Sequence, residues 1–349
     1  MSRWPLPQPE HNPAYGFPME RENGKGKKWR PANPAYASAK IQNVVDPIAL
    51  QDKPVPERRW IVPSWVPVGQ VTMIAGDGGV GKTLLAQQLA TACATGRPWL
   101  GMPVTRCKAL CVFCEDDGGE LHRRQAAINE SYQIDFADLE QLQWVARPGD
   151  NNALVAFESF EAMGEPTEFF QQVHDWMQDF GAQLLVLDSL HDLFPGNENN
   201  RVHARRFISL LSHFARDTEG AVVLTAHPSM SGLSSGSGTS GSTAWNNAVR
   251  SRLYLRRPET DGDIRSDDDE RILRRMKANY AGAGNQIDLT WESGVLKVKP
   301  PPGTLERRLR NTQIDRLIFD RVSVWWEADQ PLSLYRTRFP GHKFVMRRA

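Results

Sequence analysis

Short apolar runs recur along the middle of the chain and predict buried strands. After the first run, Leu84–Ala92 has the periodicity of a helix with one apolar face. This succession of strands and helix predicts an α/β fold around a mostly parallel central sheet. The predicted strands are Val71–Ala75, Ala109–Cys114, Gln183–Asp188 and Ala221–Ala226.

The loop after the first predicted strand carries the most specific motif of the chain. Residues Gly76–Thr83 fit the P-loop pattern G-x-x-x-x-G-K-[ST] at every fixed position. Its glycines let backbone N–H groups turn toward a β-phosphate, while Lys82 reaches the β- and γ-phosphates and the Thr83 hydroxyl contacts Mg²⁺. The alternative is a glycine-rich turn without a ligand, which the flanking strand and helix disfavour. The predicted cofactors are ATP and Mg²⁺, and the predicted binding residues are Gly76, Asp77, Gly78, Gly79, Val80, Gly81, Lys82, Thr83 and Leu84.

Two other predicted strands run into acidic residues. Asp188 ends the third strand, where a P-loop protein holds Mg²⁺ with a carboxylate, although such an Asp can equally cap a helix. Glu115, Asp116 and Asp117 follow the second strand. Because parallel strands end at a common ligand-binding edge, one of these acids can orient the attacking water. We assign Glu115, and the alternative is an acidic turn that caps a helix starting near Gly118.

Several further segments keep the order and spacing of motifs from one ATPase group. Besides the P-loop and Glu115-Asp116 they are Arg59–Gln70, Thr95–Gly101, Ala226–Ser229, Ala248–Leu253 and Met276–Tyr280. Together they resemble the RecA-like ATPases of the RepA plasmid-helicase group, which are relatives of DnaB. The resemblance covers residues 58 to 300 and implies a RecA-like P-loop core.

The resemblance also implies roles for individual side chains. The Glu after the second core strand is the catalytic base of that group and corresponds to Glu115. His227 takes the position of a γ-phosphate sensor, although a His can simply cap a strand end. Arg250 resembles the arginine finger that a neighbouring subunit supplies, and Lys277 a second cationic contact across that interface; a plain surface role is the alternative for both. The implied catalytic set is Lys82, Glu115, Asp188, His227, Arg250 and Lys277, with Thr83 and Asp188 at the metal.

Two loops are candidates for binding nucleic acid. Ser229–Thr243 is rich in Gly, Ser and Thr, too polar to pack and long for a connection inside a compact domain. RecA-like rings place a pore loop for single-stranded DNA at this position, and backbone amides and hydroxyls bind phosphates without reading bases. The alternative is a surface loop without a ligand. His191–Arg201, which leads to Arg205 and Arg206, is the second candidate.

The length and composition of the chain limit the number and size of its domains. A chain of 349 residues with 40% apolar content suffices for one large α/β core with flanking segments. We predict a proline-rich, flexible arm at 1–57, a RecA-like ATPase domain at 58–300 and a basic C-terminal segment at 301–349. Thr304–Trp326 in that last segment has helical periodicity, and the acidic stretch Asp261–Glu270 is predicted to be a solvated hairpin tip.

Charge and cysteine content add two expectations. The formal net charge of +1 gives no global signature of nucleic-acid binding, although basic residues cluster in both terminal segments. No secretory signal and no membrane span is recognisable, which predicts a cytoplasmic protein. Cys111 and Cys114 on a strand would point to opposite faces, so all four cysteines, including Cys93 and Cys107, are expected to be reduced core thiols.

The predicted function is a nucleic-acid-stimulated ATPase that works as a homo-oligomeric ring, a hexamer, on single-stranded DNA. As a replicative helicase of a plasmid or phage-like element it would also meet a primase or a replication initiator. Three alternatives belong to other classes: a RecA- or RadA-type recombination or repair ATPase that forms filaments, a regulatory ATPase that ignores DNA, and a small-molecule kinase.

Overall fold

The computed structural model describes residues 44–157, 164–227, 243–258, 269–282 and 284–300, together with Arg316. The chain divides into two compact units, Met1–Glu57 and Arg58–Ala349. Most of the predicted N-terminal arm, nearly all of the predicted C-terminal segment and most of the acidic hairpin tip lie outside the described residues.

The described part of the first unit contains one turn of 3₁₀ helix, Pro47–Leu50. Asp46 caps this turn, because its side chain accepts a hydrogen bond from the Ile48 N–H at 3.0 Å. Proline at the first position of the turn has no N–H to satisfy, so sequence and structure agree locally.

The described part of the second unit contains helices and strands, with consecutive strands at both of its ends. Its helices are α1 (Lys82–Thr95), α2 (Gly118–Tyr132), α3 (Glu168–Phe180), α4 (Leu190–Leu193), α5 (Arg201–Asp217) and α6 (Thr243–Ala248), with a 3₁₀ turn at Phe136–Leu139. Its strands are β1 (Trp60–Val62), β2 (Val66–Pro67), β3 (Val71–Gly76), β4 (Ala109–Phe113), β5 (Leu142–Ala146), β6 (Val155–Ala156), β7 (Glu165–Pro166), β8 (Leu184–Asp188), β9 (Ala221–Ala226), β10 (Ser251–Arg256), β11 (Glu270–Ala278), β12 (Gln286–Glu292) and β13 (Val295–Val298).

Among the described residues, nine strands form one sheet in the order β13-β12-β11-β10-β3-β9-β8-β4-β5. The strands from β10 to β5 run parallel, and β11, β12 and β13 extend the sheet in antiparallel pairs. The predicted α/β class with a mostly parallel central sheet is confirmed. In such a sheet the carboxyl ends of β3, β9, β8 and β4 lie along one edge.

Helices cover both faces of the central strands. Neighbouring residues of β3 point to opposite sides, with Ile74 in a core that includes Leu85 and Leu89 of α1. Met73 lies in a second core that includes Phe207 and Leu211 of α5. Because both faces are buried, the central strands read as continuous apolar runs instead of an alternating pattern.

Helix α1 is buried on every side, which the sequence analysis did not predict. Leu84 to Ala94 are all buried, because α1 lies against the sheet, α2 and β13. Its polar residues find internal partners: Gln87 Nε2 donates to Gln125 Oε1 at 3.0 Å, and Gln88 Nε2 donates to the Leu296 carbonyl at 2.9 Å. The apolar face inferred from the sequence is therefore only part of the buried surface of this helix.

The four cysteines, all within the described residues, are buried free thiols. Cys111 belongs to the core under α1 and Cys114 to the core under α5, as expected for two strand residues an odd number apart. Burial raises the pKa of the Cys114 thiol to about 12, so this thiol is protonated near neutral pH. Within the described part of the chain, no helix combines the length and the hydrophobicity that crossing a bilayer requires.

Gly76, at the end of β3, is tightly enclosed and yields a test of the fold. A Cβ atom at this position would lie 2.3 Å from the Leu255 carbonyl oxygen of β10 and 3.0 Å from Val80 Cγ1. We expect Gly76→Ala to lower the free energy of unfolding by about 1–3 kcal/mol, because the backbone of β10 must move. Urea denaturation measures this loss. Gly118→Ala is the matched control, since nothing lies within 4 Å of its Cβ; equal stability of the two variants would contradict the close approach.

Candidate nucleotide-binding site

The P-loop connects β3 to the N-terminus of α1 at the carboxyl edge of the sheet. Gly79 and Gly81 adopt positive φ angles of 66° and 101°, a conformation that glycine reaches without strain. Helix α1 begins at Lys82, so its free N–H groups and the positive end of its dipole face the loop. This arrangement provides an anion-binding site of the kind that P-loops form around a phosphate.

Lys82 is buried, with 6% of its surface exposed. Its ammonium donates to the carbonyl oxygens of Gly76 and Asp77, each at 2.9 Å, and lies 3.3 Å from Nδ1 of His227. Burial lowers the Lys82 pKa, while the carboxylates of Asp188 and others act in the opposite direction. An ammonium has three N–H donors, so a phosphate oxygen that binds Lys82 must replace one of these neighbours.

The contact with Lys82 defines the protonation of His227. An ammonium can only donate, so Nδ1 of His227 is the acceptor and Nε2 carries the hydrogen. Burial and the nearby Lys82 charge lower the His227 pKa, which favours this neutral form. Nε2 lies 3.7 Å from Oε1 of Glu115. His227 therefore stands between the P-loop lysine and the acid that follows β4.

Asp188, at the end of β8, is 1% exposed. The Thr83 hydroxyl donates to its Oδ2 at 2.9 Å, and the Thr225 hydroxyl of β9 donates to its Oδ1. Burial raises the Asp188 pKa to about 6 against the effect of these hydrogen bonds, and Glu115 adds to the rise. Thr225 was not among the predicted site residues. It lies on β9 two residues before His227, and since side chains alternate along a strand, this spacing could have indicated that both point to the same side.

The three acids after β4 occupy different environments. Asp117 caps α2 by accepting a hydrogen bond from the Glu120 N–H at 2.8 Å. Asp116 accepts two hydrogen bonds from the Arg124 guanidinium, at 2.5 and 3.2 Å. Glu115 has a side chain that is 45% exposed and faces His227. Capping and charge pairing thus belong to Asp117 and Asp116, and Glu115 is the carboxylate that faces His227.

These groups line a pocket of about 380 Å³. It holds the predicted residues Lys82, Thr83, Glu115, Asp188 and His227, with the P-loop from Gly79 to Leu84. Asp116, the neighbour of Glu115, also lines the pocket. Four further lining residues come from α2 and from the hairpins beyond β10, and the sequence analysis had not considered them for the site. They are Arg124, Asp269, Arg271 and Trp291.

Arg250 and Lys277 lie elsewhere. Arg250 is exposed and precedes β10, whose first residue Ser251 pairs with Thr72 at the start of β3. The P-loop follows the other end of β3, about 15 Å away along the strands. Lys277 donates to the carbonyl oxygens of Asn246 and Asn247 at 2.8 and 3.2 Å. The structure therefore separates this cationic pair from the nucleotide pocket of its own chain.

The two candidate DNA-binding loops differ in what can be described. Ser229–Thr243 lies outside the described residues except for Thr243, where α6 begins. His191 lies in α4, so the second candidate loop begins with helical residues and not with a loop, and the His191 ring packs edge-on against the His227 ring with 5.4 Å between centroids. Its Nε2 lies 3.4 Å from Oε1 of Glu198, so this loop reaches the nucleotide pocket through a pair of histidines.

The raised pKa of Asp188 predicts a stability effect with a definite sign. The folded carboxyl binds a proton up to about pH 6, whereas the unfolded one ionises near 3.8, so stability falls as the pH rises between these values. Relative to the unmodified protein, Asp188→Asn should therefore gain about 3 kcal/mol between roughly pH 4 and pH 8. Urea unfolding of both proteins in EDTA without nucleotide measures the difference. The exposed Asp192, changed to Asn, is the control; a pH dependence for Asp188→Asn parallel to the unmodified protein would contradict the shift.

The P-loop segment lies within a region that matches a known protein family. A family model described as an AAA domain matches residues 36–232, more than half of the chain. A solved KaiC-like protein from the hyperthermophilic archaeon Pyrococcus horikoshii OT3 is similar with a TM-score of 0.48 and 16% identity, over 69% of this chain and 94% of that one. The P-loop, the parallel sheet and the family match together identify a RecA-like P-loop ATPase fold, but not the RepA helicase subgroup. The chain belongs to the AAA domain family.

Proposed function

We propose that this protein is an ATP-hydrolysing motor that assembles as a ring, a hexamer, and moves single-stranded DNA. The observation that carries the proposal is the separation within one sheet. Lys82, Glu115, Asp188 and His227 line one pocket at the carboxyl edge, whereas Arg250 precedes β10 at the opposite edge. A site built for phosphate cleavage then receives its arginine from a second copy of the chain.

The pocket fits a magnesium ion. Asp188 and Thr83 offer a buried carboxylate and a hydroxyl whose oxygens lie 2.9 Å apart, and Mg²⁺ prefers such oxygen ligands. Burial raises the pKa of Asp188, and a cation bound beside it would favour its charged form. When bound, the ion neutralises charge on the β- and γ-phosphates.

The side chains of this chain supply the remaining steps. Backbone N–H groups of the P-loop and the N-terminus of α1 hold the phosphates, and Lys82 adds its charge. Glu115, exposed to the pocket, accepts a proton from the attacking water. Neutral His227 lies beside both groups, at 3.3 Å from Lys82 and 3.7 Å from Glu115. Its contact with Lys82 competes with a phosphate oxygen, so His227 changes partners between the nucleotide-bound and nucleotide-free states.

His227 also connects the pocket to the proposed DNA contact. One residue, Pro228, separates it from the Ser229–Thr243 loop, which we infer to bind the phosphates of the strand. His191 contacts the His227 ring and is the first residue of the second candidate loop. A displacement of the His227 ring would therefore move the residues at the start of both candidate loops. In this proposal the motor is a RepA-like replicative helicase of a plasmid or phage-like element, acts in the cytoplasm and meets a primase or a replication initiator.

Two alternatives keep the same ATPase site. A recombination or repair ATPase of RecA or RadA type would form open filaments on single-stranded DNA, which electron microscopy with an ATP analogue distinguishes from closed rings. A regulatory ATPase would turn over ATP at a rate indifferent to DNA and would not unwind a duplex. Native mass measurement gives the number of subunits in either case.

Turnover with and without single-stranded DNA tests the proposed chemistry. We expect DNA to stimulate the ATPase rate, and Glu115→Gln to lower it on the order of 10²–10⁴-fold while ATP still binds, because the proton acceptor is lost. Asp117→Asn is the matched control, since Asn also caps helices and the side chain belongs to the same turn. Normal turnover in Glu115→Gln would assign the base elsewhere, and a rate blind to DNA would remove the motor.

Mixed assemblies test the arginine from the neighbouring copy. Arg250→Ala and Glu115→Gln proteins should each be inactive alone. Mixed in equal amounts they should recover roughly a quarter of normal turnover, because an Arg250→Ala subunit then meets a neighbour with an intact arginine. A mixture of Glu115→Gln with the double variant should stay inactive. Arg59→Ala is the control for loss of an exposed arginine at the same edge of the sheet, where Arg59 pairs with Glu219. If the mixture of Arg250→Ala and Glu115→Gln is no more active than either protein alone, the proposal is contradicted.

A further inference from the structure

Trp291 is an aromatic side chain that the proposed ATPase chemistry leaves unused. It lies near the end of β12, is 45% exposed and lines the same pocket as the P-loop. The other lining side chains beyond the P-loop are mostly charged or polar. An exposed indole among charged groups keeps apolar surface in contact with water, which a flat apolar ligand would remove.

The register of the hairpins places Trp291 on the same side of the sheet as α1. In β12 the side chains of Leu289 and Trp291 share a face, and Trp291 is the direct partner of Leu296 in β13. Leu296 packs in the core that contains α1. A Cβ atom on Gly81 would lie 3.5 Å from Leu296 Cδ1. Trp291 is thus a cross-strand neighbour of a residue that contacts the P-loop.

Hydrogen bonds hold this hairpin against the nucleotide site. Gln88 of α1 donates to the Leu296 carbonyl at 2.9 Å and accepts from the Leu296 N–H at 3.0 Å. Arg271 of β11 is 8% exposed and donates from Nε to the Val80 carbonyl of the P-loop at 3.1 Å. The backbone N–H of Trp291 donates to the backbone carbonyl of Asp269 at 2.7 Å. The indole is therefore carried on a backbone that is fixed to the phosphate-binding loop.

Strand order gives the direction in which a nucleotide lies. Glu115, Asp188 and His227 follow β4, β8 and β9, all on one side of the P-loop strand β3. β10, β11 and β12 lie on the other side of β3. A triphosphate whose γ-phosphate points toward Glu115 has its nucleoside end on the side of β11 and β12, where Trp291 is the aromatic lining residue.

We propose that the Trp291 indole stacks on the nucleobase of the bound nucleotide. The base is the flat, largely apolar part of the ligand, and an aromatic ring stacks on it without reading its edge. Trp291 then contributes affinity and leaves the phosphate chemistry to the other residues. This assignment rests on the proposed binding of ATP at the P-loop.

Titrations with ATP and with inorganic tripolyphosphate test the assignment. Trp291→Ala should weaken ATP binding roughly tenfold or more, and Trp291→Phe should retain most of the affinity, because an aromatic ring remains. Tripolyphosphate, which has no base, should compete for the P-loop with equal affinity in all three proteins. Trp176→Phe is the control for removal of an indole outside the pocket, since Trp176 lies on α3 and donates to Gln143.

Each outcome has one meaning. Unchanged ATP affinity in Trp291→Ala overturns the stacking, and so does an equal loss of ATP and tripolyphosphate affinity, which would make Trp291 part of the phosphate cradle. If the unmodified protein binds neither ligand, the proposed nucleotide site itself is wrong. Weaker ATP binding in Trp291→Ala, with unchanged tripolyphosphate binding and with most of the ATP affinity retained in Trp291→Phe, supports the stacked base.

Discussion

Two buried charges at one edge of an apolar sheet are the constraint on which the site depends. Lys82 and Asp188 are 6% and 1% exposed, and removing such groups from water costs several kcal/mol unless partners replace the lost hydration. Carbonyl oxygens of the P-loop accept from Lys82, and the hydroxyls of Thr83 and Thr225 donate to Asp188. These partners do not fully replace the lost hydration. The sign of this is that burial still lowers the pKa of Lys82 and raises that of Asp188. A phosphate chain with a divalent cation would supply what both groups lack.

The same constraint requires close packing around the site. The partners of these charges come from the P-loop, from the start of α1 and from β9, so these elements must keep a close register with β8, which carries Asp188. Apolar cores on both faces of the central strands provide that register, and the buried α1 adds polar contacts to α2 and β13. The small distance between Gly76 and the Leu255 carbonyl is one sign of how little room remains.

The pocket, Arg250 and Trp291 occupy different positions along and across the strands of the sheet. Along the strands, the pocket lies at the carboxyl edge, whereas Arg250 precedes β10 at the other edge. Across the strands, the residues proposed for phosphate cleavage lie on the β4 side of β3, and Trp291 lies on the β12 side. In the proposed motor, these separate regions would serve phosphate cleavage, nucleoside binding and contact with a neighbouring copy.

The sequence by itself determined the P-loop, the central strands and the acids at their ends, because these features depend on contiguous residues with a local pattern. It did not determine which acid does what. Asp116 pairs with Arg124 one helix further on, and Asp117 caps that helix, and these contacts separate them from Glu115. Thr225 and Trp291 reach the pocket from strands far along the chain. Only the tertiary structure decided their places, because strand order and hairpin register arise from long-range packing and leave no periodic signal in one sequence.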